Sequence, residues 1–146
     1  MNLKLLFLLP FFFLRLTNWH YNLSDAEKIA RKEHKFILLN FSGSDWCGPC
    51  IRMHSEFFES EVFKQMADTD LVMVNADFPR NKKNQLPAEQ QKLNEEMADR
   101  YNSQGKFPLT LLLNADGKVL KSWEGLPEES PENFTMEVRN AMYTNQ

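Results

Sequence analysis

Phe36-Ile37-Leu38-Leu39-Asn40-Phe41 is a short apolar run consistent with a buried strand. A loop, Ser42-Gly43-Ser44-Asp45, carries the chain through Trp46 to Cys47-Gly48-Pro49-Cys50. Pro49 is tolerated only in a helix's first turn, so a helix begins here. The rest of the chain must accommodate a strand–loop–helix joint with two thiols at its apex.

The thiolate, not the thiol, attacks in disulfide exchange. Unpaired N–H groups and the dipole at a helix amino terminus favour a nearby negative charge, and Cys47 falls there. Cys50 lies one turn further in, where it can resolve a mixed disulfide formed by Cys47. Gly48 and Pro49 keep the turn tight, and Trp46 offers a flat apolar surface on which an extended substrate can rest. The chain has only these two cysteines. So short a loop is a poor structural staple, which favours a redox use. Zinc also uses C-x-x-C, but it needs more ligands than this pair supplies. His54 could in principle join them, although a lone histidine on a helix reads first as a surface or packing residue. No metal site is expected, and a metal-binding chaperone stands as an alternative.

Helical and strand patterns alternate along the remaining sequence. Ser24-Asp25-Ala26-Glu27 reads as a capping box opening a helix with Ala26, Ile29 and Ala30 on one face. Met53, Phe57 and Phe58 continue the apolar face after the cysteines, and residues 60–67 form a further helical stretch. Leu71–Ala76 is a second buried strand, and Pro87–Tyr101 a helix with Leu93, Met97 and Tyr101 at four-residue spacing. Asn114-Ala115-Asp116-Gly117 joins two strands as a hairpin. Ser130 and Pro131 open a last helix with Phe134, Val138 and Met142 as its stripe. This order predicts an α/β fold: a central mixed sheet, parallel in part with a C-terminal antiparallel hairpin, flanked by helices.

The amino terminus is a separate object. Lys4 precedes the apolar run Leu5–Leu14, and Arg15 follows it. The run is shorter than the ~20 residues that a spanning helix needs, and it fits a secretory signal. No A-x-A-like cleavage site follows, so a retained anchor or a buried helix are the alternatives. We assign residues 1–18 to a signal peptide or membrane anchor and 19–146 to one domain. Of the 146 residues 42% are hydrophobic, enough for a core. The net charge of −3 excludes nucleic acid as a main partner and restricts membrane contact to the amino-terminal segment. No strong oligomerisation signal is visible, so a monomer is expected. There is no phosphate loop or dinucleotide fingerprint, and no cofactor is expected.

Trp46-Cys47-Gly48-Pro49-Cys50 after an apolar strand, followed much later by Phe107-Pro108-Leu109-Thr110 and a hairpin, resembles thioredoxin. The stretch Phe41–Cys47 is similar, more narrowly, to exported bacterial thioredoxin-like proteins. The resemblance spans roughly Leu23 to Met142. It implies a thioredoxin fold with an extended helical insertion before a cis-proline at Pro108. It also implies Cys47 as nucleophile, Cys50 as resolving thiol, and a Phe107 backbone that pairs with an extended substrate strand. The activity implied is reduction or isomerisation of protein disulfides in the periplasm, with a membrane or soluble thiol reductant as partner. Net disulfide oxidation is the alternative within that class, and a partner-binding adaptor without turnover lies outside it.

Two departures stand out. The family's buried aspartate falls at Asn40 and its accompanying lysine near Met73, so both members of the pair are neutral here. An unpaired buried charge is costly, and losing both together is coherent. The segment between Asp77 and Phe107 is long and carries Arg80, Lys82 and Lys83. Such a run reads first as solvated surface and second as a docking surface. Trp19 and Trp123 read as packing residues.

Overall fold

The computed structural model describes residues 18–144. Five strands form one mixed sheet in the order β1-β3-β2-β4-β5. They are β1 (Trp19–His20), β2 (Phe36–Ser42), β3 (Leu71–Asp77), β4 (Leu109–Leu113) and β5 (Val119–Glu124). β1 and β2 both run parallel to β3, whereas β4 is antiparallel to β2 and to β5. This is the thioredoxin fold expected from the sequence, with the hairpin supplying the antiparallel end. The two-residue strand β1 was not expected, being too short to show a period. Trp19 is in register with Met73, and it also packs, its ring 5.3 Å from that of Phe58.

Helices cover both faces. α3 (Glu61–Asp70) and α5 (Pro131–Thr144) lie over one, where Phe63, Met66, Phe134, Val138 and Met142 meet Leu38, Met73 and Leu112. α1 (Leu23–Glu33) and α4 (Ala88–Tyr101) lie over the other, where Ala26, Ala30 and Met97 meet Ile37, Leu39, Val74 and Leu111. Alternating residues of β2 thus feed two separate cores, as the two-residue period of a strand requires. Burying each large apolar side chain contributes about 1.5–3 kcal/mol, so both cores are needed to offset the entropy of ordering the chain.

The capping box is corrected. Asn22, not Ser24, caps α1, its Oδ1 accepting from the N–H groups of Ser24 (2.9 Å) and Asp25 (3.3 Å). Asn22 is extended (φ −128°) and the helix starts at Leu23, earlier than the Ser-x-x-Glu pattern suggested. Glu27 instead stands 3.9 Å from Arg100 on α4. Ser130 performs as expected, its Oγ accepting from Asn133 N–H at 3.2 Å at the start of α5. The hairpin turn needs its glycine. Gly117 has φ +78°, and a Cβ there would meet the Tyr101 hydroxyl, which donates to the Gly117 carbonyl at 2.7 Å.

The helix after the cysteines is not uniform. α2 (Gly48–Arg52) runs directly into a π-helical turn, Met53–Phe58, before Ser60 restarts the chain as α3. Met53, Phe57 and Phe58 are all buried in the α3/α5 core, which roots the cysteine-bearing end of the helix in the sheet.

Candidate active site

Cys47 occupies the N-cap of α2, with an extended backbone (φ −98°), and Pro49 sits in its first turn. The two sulfurs form a disulfide, with Cα atoms 5.2 Å apart. The Cys50 N–H points at Cys47 Sγ at 3.2 Å. Cys47 is 5% exposed and Cys50 2%, so both are buried, Cys47 at the helix N-cap and Cys50 inside the first turn. Gly48 and Pro49 are exposed at the tip.

Phe107-Pro108 is a cis peptide, and Pro108 is buried at the head of β4. Sheet pairing of β4 starts only at Leu109, opposite Phe41, which leaves the Phe107 backbone beyond the paired ladder. Phe107 reaches the cysteine loop through its ring, 5.4 Å from that of Trp46 in an edge-on arrangement. The structure therefore brings Trp46, the two cysteines and the Phe107-Pro108 segment to one end of the sheet.

Three consecutive loop residues anchor this end to the chain that follows β3. Ser44 donates through its N–H (2.9 Å) and its hydroxyl to the Asp77 carboxylate. The Asp45 carboxylate accepts from Arg80 N–H (2.9 Å), Asn81 N–H (2.9 Å) and Asn84 Nδ2 (3.0 Å). These donors, the Arg80 amide foremost, hold the Asp45 carboxyl below the usual aspartate range. Trp46 Nε1 donates to the Phe78 carbonyl at 2.7 Å, and the Arg80 guanidinium lies 3.7 Å from the centre of its ring. Gly43 makes room for that indole, because a Cβ at residue 43 would collide with it. Asp45 and Asn84 were not singled out from the sequence. Their partnership spans 39 residues, and no local pattern encodes it.

A polar row crosses the sheet. Asn75, Asn40 and Thr110 are in register on β3, β2 and β4. Asn40 Nδ2 donates to Asn75 Oδ1 at 3.0 Å, and Thr110 Oγ1 donates to Asn40 Oδ1 at 3.3 Å. Asn40 and Thr110 are 5% and 1% exposed and Asn75 is half-buried, so the row is neutral and internally paired. Asn75 is thus the direct neighbour of Asn40, while Met73 pairs in register with Leu38 and packs in the apolar core.

His54 stacks obliquely on Trp19 with ring centres 5.9 Å apart and lies 3.6 Å from Glu59. Among the described residues no three His, Cys, Asp or Glu side chains group as a metal site. Trp123 packs on Phe134 and donates to Glu137 at 2.9 Å.

A model of the thioredoxin-like domain matches residues 23–141. The chain belongs to the thioredoxin-like family. The disulfide bond reductase DsbH of Chlamydia pneumoniae is 40% identical over 97 residues, 66% of this chain and 57% of that protein. The thioredoxin-related protein DsbJ of the same organism is 30% identical over 64 residues, 44% of this chain and 18% of its own length. The chain therefore spans less than two thirds of either curated relative. A solved DsbH oxidoreductase superposes with a TM-score of 0.78 at 33% identity, covering 88% of this chain and 85% of that one. A thioredoxin from Thermus thermophilus superposes with a TM-score of 0.64 at 16% identity, covering 88% and 90%, a likeness of fold alone.

Proposed function

We propose that this thioredoxin-like chain is a protein thiol–disulfide oxidoreductase that reduces or isomerises substrate disulfides. The observation that carries the reading is the Cys47–Cys50 disulfide at the N-cap of α2, with the preceding Trp46 packed against Phe107. In the reduced enzyme the Cys47 thiolate accepts the Cys50 N–H, and its place at the N-cap of α2 favours the anion. It attacks one sulfur of a substrate disulfide. The substrate S–S bond breaks, a mixed disulfide forms, and the leaving substrate sulfur takes a proton. Cys50 then loses its proton and attacks Cys47 Sγ. The internal disulfide closes and the second substrate thiol departs, so two electrons pass from the pair to the substrate.

Trp46 and Phe107 flank the nucleophile as apolar supports, Gly48 and Pro49 form the exposed tip, and the Phe107 backbone receives an extended substrate strand. The Gly-Pro dipeptide between the cysteines and the reductase name of the chlamydial relative support reduction over net oxidation. We also propose that residues 1–18 export or anchor the domain toward the periplasm; residues 1–17 lie outside the described residues. Disulfide-bonded proteins are the substrates, a membrane or soluble thiol donor recharges the pair, and the protein acts as a monomer. A trapping experiment tests this. The Cys50→Ser variant should accumulate a mixed disulfide with a model substrate, detected by mass, and Cys47→Ser should form none. Equal trapping by both variants would refute the assigned roles.

A further inference from the structure

The segment joining β3 to α4 places three cations, Arg80, Lys82 and Lys83, on a chain of net charge −3. All three are exposed, and among the described residues none has a carboxylate at ion-pair distance. The cations on the neighbouring segments differ. Arg52 on α2 is paired with Glu56, and Lys106, beside Phe107, with Glu124. The Asp45 carboxylate is occupied by the backbone N–H groups of Arg80 and Asn81 and the side chain of Asn84. Asp45 thus fixes the loop without taking up the guanidinium.

Arg80 is held in place rather than waving in solvent. Its guanidinium lies 3.7 Å from the centre of the Trp46 ring, and Trp46 directly precedes the nucleophile. A guanidinium stacked on an aromatic face keeps its in-plane N–H donors free for a carboxylate, and its charge is permanent. Trp46 in turn meets Phe107, next to the cis-proline. The short 3₁₀ turn Lys82–Asn84 carries two further charges on the same loop.

We infer that Arg80, supported by Lys82 and Lys83, is a specificity-determining cation that selects disulfide substrates with carboxylate side chains beside the reacting cysteine. The inference rests on the reading of Cys47 and Cys50 as an exchange centre. It predicts a charge-dependent rate, because a cation stacked on the residue before the nucleophile raises the encounter rate of acidic segments and discriminates against basic ones.

The test is single-turnover oxidation of the reduced full chain by three disulfide-linked peptides that differ only in carrying Glu, Gln or Lys on either side of the cysteine. Each rate is divided by the rate with dithiothreitol, which removes the peptide's intrinsic reactivity. The Glu peptide should react about threefold faster than the Gln peptide and about tenfold faster than the Lys peptide at low salt, the three converging at high salt. Arg80→Gln should bring the Glu-to-Lys ratio to about threefold or below, and Arg80→Lys, which keeps the charge but not the stacked planar fork, should restore part of it. Equal normalised rates for the three peptides overturn the inference and leave the exchange reading intact. So does a Glu preference that survives Arg80→Gln combined with Lys82→Gln and Lys83→Gln, or an Arg80→Lys variant indistinguishable from Arg80→Gln. Failure of every peptide to oxidise the pair overturns both readings.

Discussion

At the scale of single residues, Asn40 and Asp45 do opposite electrostatic work. Asn40 is buried and neutral, and Asn75 and Thr110 satisfy its amide. Asn40→Ala strips a partner from each of them, and should cost about 1–3 kcal/mol in denaturant unfolding. An amide cannot accept the proton that Cys50 must shed, so resolution of the mixed disulfide should be slower than in a thioredoxin with the buried acid. Asn40→Asp should add a titration above the ordinary aspartate range to the pH–rate profile, since burial there raises a carboxyl pKa. An unchanged profile would remove Asn40 from the proton-transfer account. Asp45 is charged and solvent-facing, and its folded pKa is depressed. A group shifted down stabilises the native state above its unfolded value, about 3.9 for aspartate, and loses that contribution as pH falls through the lower folded value. The 80–84 loop should therefore stay docked throughout the neutral range and release only in acid. The amide proton shifts of Arg80 and Asn81 should report this as one titration below that value, and Asp45→Asn should abolish it.

At the scale of elements, the helix after the cysteines is held from beneath and the loop before them from the side. Phe57 and Phe134 meet edge-on at 5.6 Å, and Phe63 stacks on Phe134 at 6.0 Å. Phe134→Ala should cost about 3–5 kcal/mol by thermal or denaturant unfolding, because it empties the junction of α3, α5 and the π turn. Gly43→Ala should be nearly as damaging locally, since the new methyl group must displace Trp46. We expect a loss of about 1–3 kcal/mol together with slower exchange. Unaltered exchange in a folded Gly43→Ala protein would show that the indole position does not matter. Elements with a compositional signature were readable in the sequence: the apolar runs of β2 and β3, the α5 stripe and the Asp-Gly turn all lie where the pattern puts them. The short β1, the Asn22 cap and the π turn were not, because each is decided by how neighbouring elements meet and leaves no periodic trace.

At the scale of the whole molecule, the two motifs that could be read in the sequence lie at opposite ends of a long excursion. The sheet brings them together, β4 pairing antiparallel with β2 so that Leu109 faces Phe41 and Phe107 reaches Trp46. The cysteines were readable because their chemistry constrains their local sequence, and the cis-proline only through the resemblance to thioredoxin. The Asp45–Arg80 and Asn40–Asn75 contacts were not, because they depend on register between strands and on a loop folding back over about 35 residues. That the molecule stores and passes electrons through Cys47 and Cys50 is the claim on which the rest depends. It is tested most directly by equilibrium redox titration of the full chain in graded dithiothreitol buffers, read by thiol alkylation and mass. The account predicts a reversible two-electron transition with a potential near that of thioredoxin, about −270 mV. A pair that forms no disulfide under any buffer would contradict it, and a potential near the strong oxidant's value of about −120 mV would reverse the proposed direction of electron flow.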